Sequence, residues 1–557
     1  MDSTPTSSAW IAPAPQPLLI RDLFTRTRSW APDRTITFRE LRTLTYTEWM
    51  ARVERAARVL TEAGVGPGTR VGVMDWDSHR YLELFFAIPM IGAVLHTVNV
   101  RLTPDQMAYT IRHAGDSVLM VHPDFLKVAE EMAPQTPGIA TWISLTDECV
   151  CPSSQLPFLG DYEALLAAAQ PGFAFPDLDE NTVATLFYTT GTTGEPKGVY
   201  FTHRQIVLHA LTGALTFAAH SQPLRLNDHD IYLPLTPMFH VQAWGFPYMA
   251  VALGLKQVYP GRFEPSTILG LLETHRVTIS HCVPTLLQML LHHPAAGSVD
   301  WSRVKVVIGG APLPLGLAQL ARSRGIQIVG GYGMSETGPL VAVAHVKPDH
   351  PLPAGTAPAD ALDVVTRTGF PMPLVSAGIM DANGMLLPPG RDQIGELVLR
   401  APWLTSGYHD QPGASEALWR GGWLHTGDIA YLDSDGYIRI TDRLKDVIKI
   451  GGEWISSLEL ENVLSQHEAV KEVVVVGIPD SKWDEHPHAD VVLRPDFEGQ
   501  ITPKNLAKFL HRFVEDGTVH KRAILTTIRI VPTIARTSVG KFDKKRLRAE
   551  LAATSKS

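Results

Sequence analysis

Short apolar runs alternate with amphipathic stretches through most of the chain. Residues 70–74 (RVGVM), 117–121 (SVLMV), 183–187 (VATLF) and 304–308 (VKVVI) read as buried strands, with apolar residues at helical spacing between them. That alternation predicts α/β layers built on parallel sheets. Proline and glycine become dense between 348 and 373, and short strand patterns follow at 394–399 (IGELVL) and 436–441 (GYIRIT), which predicts a small β-rich subdomain. Beyond 442–446 (DRLKD) the pattern restarts, with a helix expected at 458–464, a strand at 473–476 and a helix at 505–510. The expected fold class is α/β. A large N-terminal domain, 1–441, holds the layered α/β subdomains and the β-rich subdomain, and a small α+β C-terminal domain occupies 447–557.

A chain of 557 residues exceeds what one hydrophobic core can serve, which agrees with that division. Apolar residues make up 45% and charged residues 19%, the balance of a soluble enzyme rather than a disordered or fibrous chain. The net charge of −8 argues against general attraction to nucleic acid or to an anionic membrane. Charge is uneven, however: residues 511–557 carry eleven Lys and Arg against four Asp and Glu. Either an anionic ligand near the C-terminus or a solvated basic tail would account for this. Three cysteines, Cys149, Cys151 and Cys282, supply neither a disulfide framework nor a four-cysteine zinc site, and a reducing cytoplasm fits them best. The first residues lack a signal-peptide pattern, and no run of about 18 apolar residues predicts membrane insertion.

The densest local chemistry lies at 188–198 (YTTGTTGEPKG), directly after the strand pattern 183–187. Gly191 and Gly194 let backbone N–H groups approach a polyphosphate, Thr189, Thr190, Thr192 and Thr193 offer hydroxyls, and Lys197 adds a positive charge. The spacing is not that of a Walker A loop. Four further signatures follow in order: PMFHVQAW at 237–244, GYGMSET at 331–337, TGD at 426–428 with DRLKD at 442–446, and RTSVGK at 536–541. Together the five resemble the adenylate-forming superfamily of acyl-CoA synthetases, luciferases and peptide-synthetase adenylation domains, and they span nearly the whole chain.

The resemblance implies that a carboxylate attacks the α-phosphate of ATP, giving acyl-AMP and pyrophosphate, and that a thiol then displaces AMP. The Thr/Gly loop would hold the β- and γ-phosphates, and Glu336 would recruit Mg²⁺, a hard cation suited to carboxylate and phosphate oxygens. Tyr332, between Gly331 and Gly333, would lie against adenine, with Gly310, Ala311 and Pro312 lining the same pocket. Ser335 stands where threonine is commoner and keeps the hydroxyl for the α-phosphate. Asp428 and Arg443 correspond to the ribose-binding pair. Lys541 corresponds to the lysine that reaches the acyl carboxylate and α-phosphate during adenylation, although Ala535 replaces the proline common before Arg536.

In relatives the small domain rotates between the two steps, which makes the C-terminal domain mobile and places a hinge at 442–446, with Lys445 as its pivot. Rotation would replace the Lys541 loop with 451–457 (GGEWISS), where Gly451, Gly452 and Trp454 would meet the pantetheine arm of coenzyme A. Phe239, His240, Val241, Trp244, Cys282 and Gly331 would wall the acyl pocket. His240 would stand near the carboxylate, Trp244 would gate the tunnel as in fatty acyl-CoA synthetases, and Cys282 would serve as a small hydrophobe. The resulting expectation is an ATP- and Mg²⁺-dependent carboxylic acid:CoA ligase for medium- or long-chain fatty acids. It takes small-molecule partners and no nucleic acid, and it leaves a homodimer open. An aryl or other apolar carboxylate ligase is the nearest alternative; a luciferase-type oxygenase or a non-catalytic nucleotide or acyl sensor is more distant.

Overall fold

The computed structural model describes residues 16–189, 195–219, 224–348, 361–450, 453–480, 483–516, 519–536 and 542–554. Two large sheets dominate it. One has seven strands, and the other has nine running from Thr35–Phe38 with Arg42–Thr45 at one edge to Phe370–Pro371 at the other. In the nine-stranded sheet the strands Ile231–Tyr232, Ile279–Cys282, Lys305–Ile308 and Gln327–Gly333 are consecutive parallel neighbours. In the seven-stranded sheet Val183–Tyr188 runs parallel to Val94–Thr97 and turns back, antiparallel, into Gly198–Thr202.

The helix His79–Met90 is buried on every side, so it can afford apolar residues all round. Its charged residues need partners, and Glu83 receives Arg52 Nε at 2.6 Å while Arg80 meets Asp147 at 2.5 Å. Helix Tyr46–Glu62 packs against it. That helix begins with a capping box in which Glu48 N donates to Thr45 Oγ1 and Thr45 N donates to Glu48 Oε2. Trp49, from this helix, meets Phe86 edge-on at 5.2 Å in the largest core cluster.

The β-rich subdomain is a five-stranded antiparallel sheet, in which Gly395–Arg400 pairs with Leu424–Leu432 and Leu424–Leu432 with Ile438–Arg443. Strands then restart at Ile448–Ile450 and build a separate sheet around the hairpin Val470–Asp480 and Asp484–Leu493, with its own buried cluster. Helices Ser457–Ser465 and Pro503–Glu515 cover that sheet, longer at both ends than the apolar spacing alone marks out. Between the two units, Ser457 N donates to Asp442 Oδ2 at 2.5 Å, and Arg548 reaches Asp446 at 2.7 Å. Among the described residues no helix is long and apolar enough to cross a membrane.

Candidate active site

Open parallel sheets bind ligands beyond the carboxyl ends of their strands, where backbone groups and loops converge. Most of the sequence-nominated segments of the large unit lie at such an end, while Asp428 and Arg443 lie on paired antiparallel strands of the five-stranded sheet. Phe239 to Trp244 follow the strand Ile231–Tyr232, Cys282 ends its strand, Gly310, Ala311 and Pro312 follow Lys305–Ile308, and Gly331 to Gly333 end Gln327–Gly333. Thr189 and Lys197 close the turn between Val183–Tyr188 and Gly198–Thr202, with Thr189 N donating to Lys197 O at 2.9 Å. Thr190, Gly191, Thr192, Thr193, Gly194, Gly451, Gly452 and Lys541 lie outside the described residues. Trp454 is placed on the strand Glu453–Ile455.

Tyr332, Asp428 and Arg443 meet. The Tyr332 hydroxyl donates to Asp428 Oδ2 at 2.6 Å, and Arg443 Nε lies 3.3 Å from Asp428 Oδ1. Burial and the adjacent Asp428 carboxylate push the Tyr332 phenol well above its ordinary value, so it stays a donor. Asp428 and Arg443 sit directly opposite each other on paired strands, which explains how residues far apart in sequence share one geometry. Gly333 could not be another residue, because a Cβ there would lie 1.8 Å from the Pro339 carbonyl oxygen. Ser335 opens the single turn Ser335–Thr337 that carries Glu336.

Glu336 is buried, and its Oε1 accepts a 2.7 Å bond from the Tyr408 hydroxyl. Oε2 accepts no hydrogen bond from any described residue. Among the described residues, no group of three or more His, Cys, Asp and Glu is placed to hold a metal. Magnesium needs none, since it is commonly bound by one or two carboxylates together with substrate phosphates, and a lone buried carboxylate with one oxygen uncommitted fits that demand. The Lys197 ammonium lies over the Tyr408 ring, 4.7 Å from its centre.

The segment expected to wall the acyl pocket holds a conformation that apolar patterning did not foretell. Val241, Gln242, Ala243 and Trp244 have φ of 47°, 52°, 48° and 58°, and Gly245 follows at 74°. They form a left-handed turn, which costs about 1–2 kcal/mol per non-glycine residue. Strain of this kind persists only where the surroundings over-determine it. Here Met238 N donates to Asp77 at 2.7 Å, and Thr97 Oγ1 donates to the Phe239 carbonyl at 3.0 Å. The turn delivers the Trp244 indole against Gly309, where an added Cβ would lie 2.9 Å from the ring. His240 is half-buried at the head of the turn, its N–H bonded to the Pro237 carbonyl at 2.9 Å.

Behind Trp244 lies His281, which sequence reasoning passed over. Its ring is 5.1 Å from Trp244 and 4.4 Å from Phe246, and its nitrogens face Tyr232 Oη at 2.9 Å and Thr236 Oγ1 at 3.1 Å. Burial lowers its pKa to about 3, so the ring is neutral. Burial also pushes the Cys282 thiol up to about 12, which leaves it a packing residue rather than a nucleophile. Tyr408, the other residue missed, sits beside Gly407, and a glycine–tyrosine pair after a strand was the available signal. Lys445 is exposed on the turn between Arg443 and Asp446. Lys544, three residues beyond Lys541, bonds Ser457 Oγ at 2.7 Å and Glu461 Oε1 at 2.8 Å.

A large unit with its site at strand ends and a small unit hung from the antiparallel sheet define the adenylate-forming class of fold. An anthranilate CoA ligase in complex with anthranoyl-AMP superposes with a TM-score of 0.84 at 24% identity, over 97% of this chain and 99% of that one. An amide bond synthetase from Marinactinospora thermotolerans gives 0.80 at 26% identity, over 96% and 99%. The chain belongs to the AMP-binding enzyme family, whose sequence model matches residues 24–409, with the family's C-terminal domain at 459–541. It is 37% identical to a long-chain-fatty-acid–CoA ligase of Thermus thermophilus, covering 92% of this chain and 91% of that one. It is 34% identical to a medium-chain-fatty-acid–CoA ligase of Ectopseudomonas oleovorans, covering 89% and 88%.

Proposed function

We propose that this chain joins medium- or long-chain fatty acids to coenzyme A, with the residues above in the roles their placement suits. It is an AMP-forming acid–thiol ligase that uses ATP, Mg²⁺ and CoA. In the first half-reaction a carboxylate oxygen bonds to the α-phosphorus and pyrophosphate leaves. In the second, the thiol sulfur bonds to the acyl carbon, and AMP departs with the oxygen that came from the acid. Tyr332, Gly310, Ala311 and Pro312 would frame adenine, while Asp428 and Arg443 would hold the ribose. Lys197 and the Thr/Gly loop would hold the phosphates and the departing pyrophosphate. Mg²⁺ bound at Glu336 would offset the phosphate charge. Lys541 would neutralise carboxylate and α-phosphate as they converge, and turning about Lys445 would exchange it for Gly451, Gly452 and Trp454 along the pantetheine arm.

The observation that carries the acyl class is the buried Trp244 indole, seated against Gly309 and His281 at the strand ends. An apolar wall of this kind selects by volume and buried area, at about 0.8 kcal/mol per methylene, rather than by polar contacts. The reading includes a cytoplasmic setting, supported by three free thiols. Pyrophosphate release across straight-chain and aromatic acids, with and without CoA, tests it. Turnover should rise with chain length into the medium range and require CoA for release of AMP. A preference for aromatic acids would return the chain to the aryl alternative.

A further inference from the structure

Tyr408 touches both charged groups that the phosphate chemistry would use. Its hydroxyl donates to Glu336 Oε1 at 2.7 Å, and its ring lies under the Lys197 ammonium at 4.7 Å. The segment that carries it is stitched to both sides. Thr405 N donates to the Glu336 carbonyl at 3.0 Å, and Thr405 Oγ1 donates to the Tyr200 carbonyl at 2.9 Å. His409 N donates to the Gly198 carbonyl at 2.8 Å, beside Lys197. Tyr408 N is itself fixed by Ser415 Oγ at 2.9 Å, and Trp419 Nε1 holds the Thr405 carbonyl at 3.0 Å. Bonds from both faces leave the tyrosine little freedom, so its two contacts are set by the scaffold rather than by side-chain chance.

We infer that Tyr408 is a positioning residue that couples the metal carboxylate to the phosphate-binding lysine, an inference that rests on the roles proposed for Glu336 and Lys197. Its hydroxyl occupies Oε1 and so directs the carboxylate to present Oε2. Partners of this kind orient a ligating carboxylate, and their loss typically costs about 10–100-fold in metal affinity. Its ring face holds the Lys197 ammonium, 4.7 Å from the ring centre, on the same side chain whose hydroxyl holds the carboxylate. The two contacts are separable: Tyr408→Phe removes the hydroxyl and keeps the ring, whereas Tyr408→Leu removes both.

The test uses the full-length protein with an unreactive α,β-methylene ATP analogue and Mn²⁺ in place of Mg²⁺, followed by electron paramagnetic resonance. Tyr408→Phe should weaken Mn²⁺ binding to the protein–nucleotide complex at least about tenfold while leaving metal-free nucleotide affinity within about twofold. Tyr408→Leu should weaken metal-free nucleotide binding as well. Thioester formation from supplied acyl-AMP and CoA, which needs neither metal nor pyrophosphate contacts, should fall less than about threefold in Tyr408→Phe and so serves as the internal measure of folding. The coupling is overturned if Glu336→Gln weakens Mn²⁺ binding and Tyr408→Phe does not, or if Tyr408→Phe loses every readout equally. Unchanged Mn²⁺ binding in Glu336→Gln would overturn the metal role of Glu336 together with the coupling.

Discussion

Trp244 shows how one side chain can be placed by a conformation that its own residue type disfavours. Four non-glycine residues accept left-handed dihedrals so that the indole reaches Gly309 and His281. Trp244→Ala should therefore broaden or lengthen the preferred acid, read as kcat/KM across a straight-chain series, with ATP affinity nearly unchanged. An unchanged profile accompanied by lower Tm would reduce Trp244 to a core aromatic. Gly309→Ala should act in the opposite sense, crowding the indole and lowering kcat/KM for the longest acids first. At this scale the sequence was legible where unusual residue types cluster locally, as in the turn bearing Thr189 and Lys197 or in Tyr332 between two glycines. Tyr408 escaped because its partner Glu336 stands 72 residues away. His281 escaped because a histidine inside an apolar strand carries no local mark.

Among elements, the order of the five motifs made the site legible through their resemblance to the adenylate-forming superfamily, whereas the strand patterns alone marked only where strands would run. The strand patterns at 183–187 and 304–308 fall on observed strands Val183–Tyr188 and Lys305–Ile308. The left-handed turn was not legible, because only Gly245 in Val241 to Gly245 has a propensity for it. Element-scale roles separate kinetically. Lys541→Ala should abolish most adenylation yet spare thioester formation from supplied acyl-AMP, since its charge matters only while two anions converge. Lys445→Pro should show the reverse bias, with adenylation retained and CoA transfer slowed, because a fixed φ resists turning about that position. Single-turnover assays of each half-reaction distinguish the two variants. Equal losses in both steps would contradict both assignments.

For the whole molecule, burial of histidines links stability to pH. Burial lowers the pKa of His203 to about 4, of His209 to about 4 and of His281 to about 3, against an ordinary value of 6.5. The folded state keeps these rings neutral, while the unfolded chain takes up protons below its own value. Stability is therefore fully present above about pH 6.5 and declines as the pH falls from there towards about pH 4. Urea denaturation at about pH 7, 6 and 5 should show a progressive loss, and His281→Gln should make that dependence shallower. A flat profile would mean that these rings take up protons as readily in the native fold as in the unfolded chain.

Family membership and the gathered site together require that the acid's own oxygen bond to the α-phosphorus and later leave with AMP. Fatty acid labelled with ¹⁸O in both carboxylate oxygens, incubated with the enzyme, ATP, Mg²⁺ and CoA, tests that requirement directly by mass spectrometry of the products. One labelled oxygen should appear in AMP for each acyl-CoA formed, with none in pyrophosphate. Label recovered in inorganic phosphate alongside ADP would show an acyl-phosphate route and contradict the adenylate mechanism.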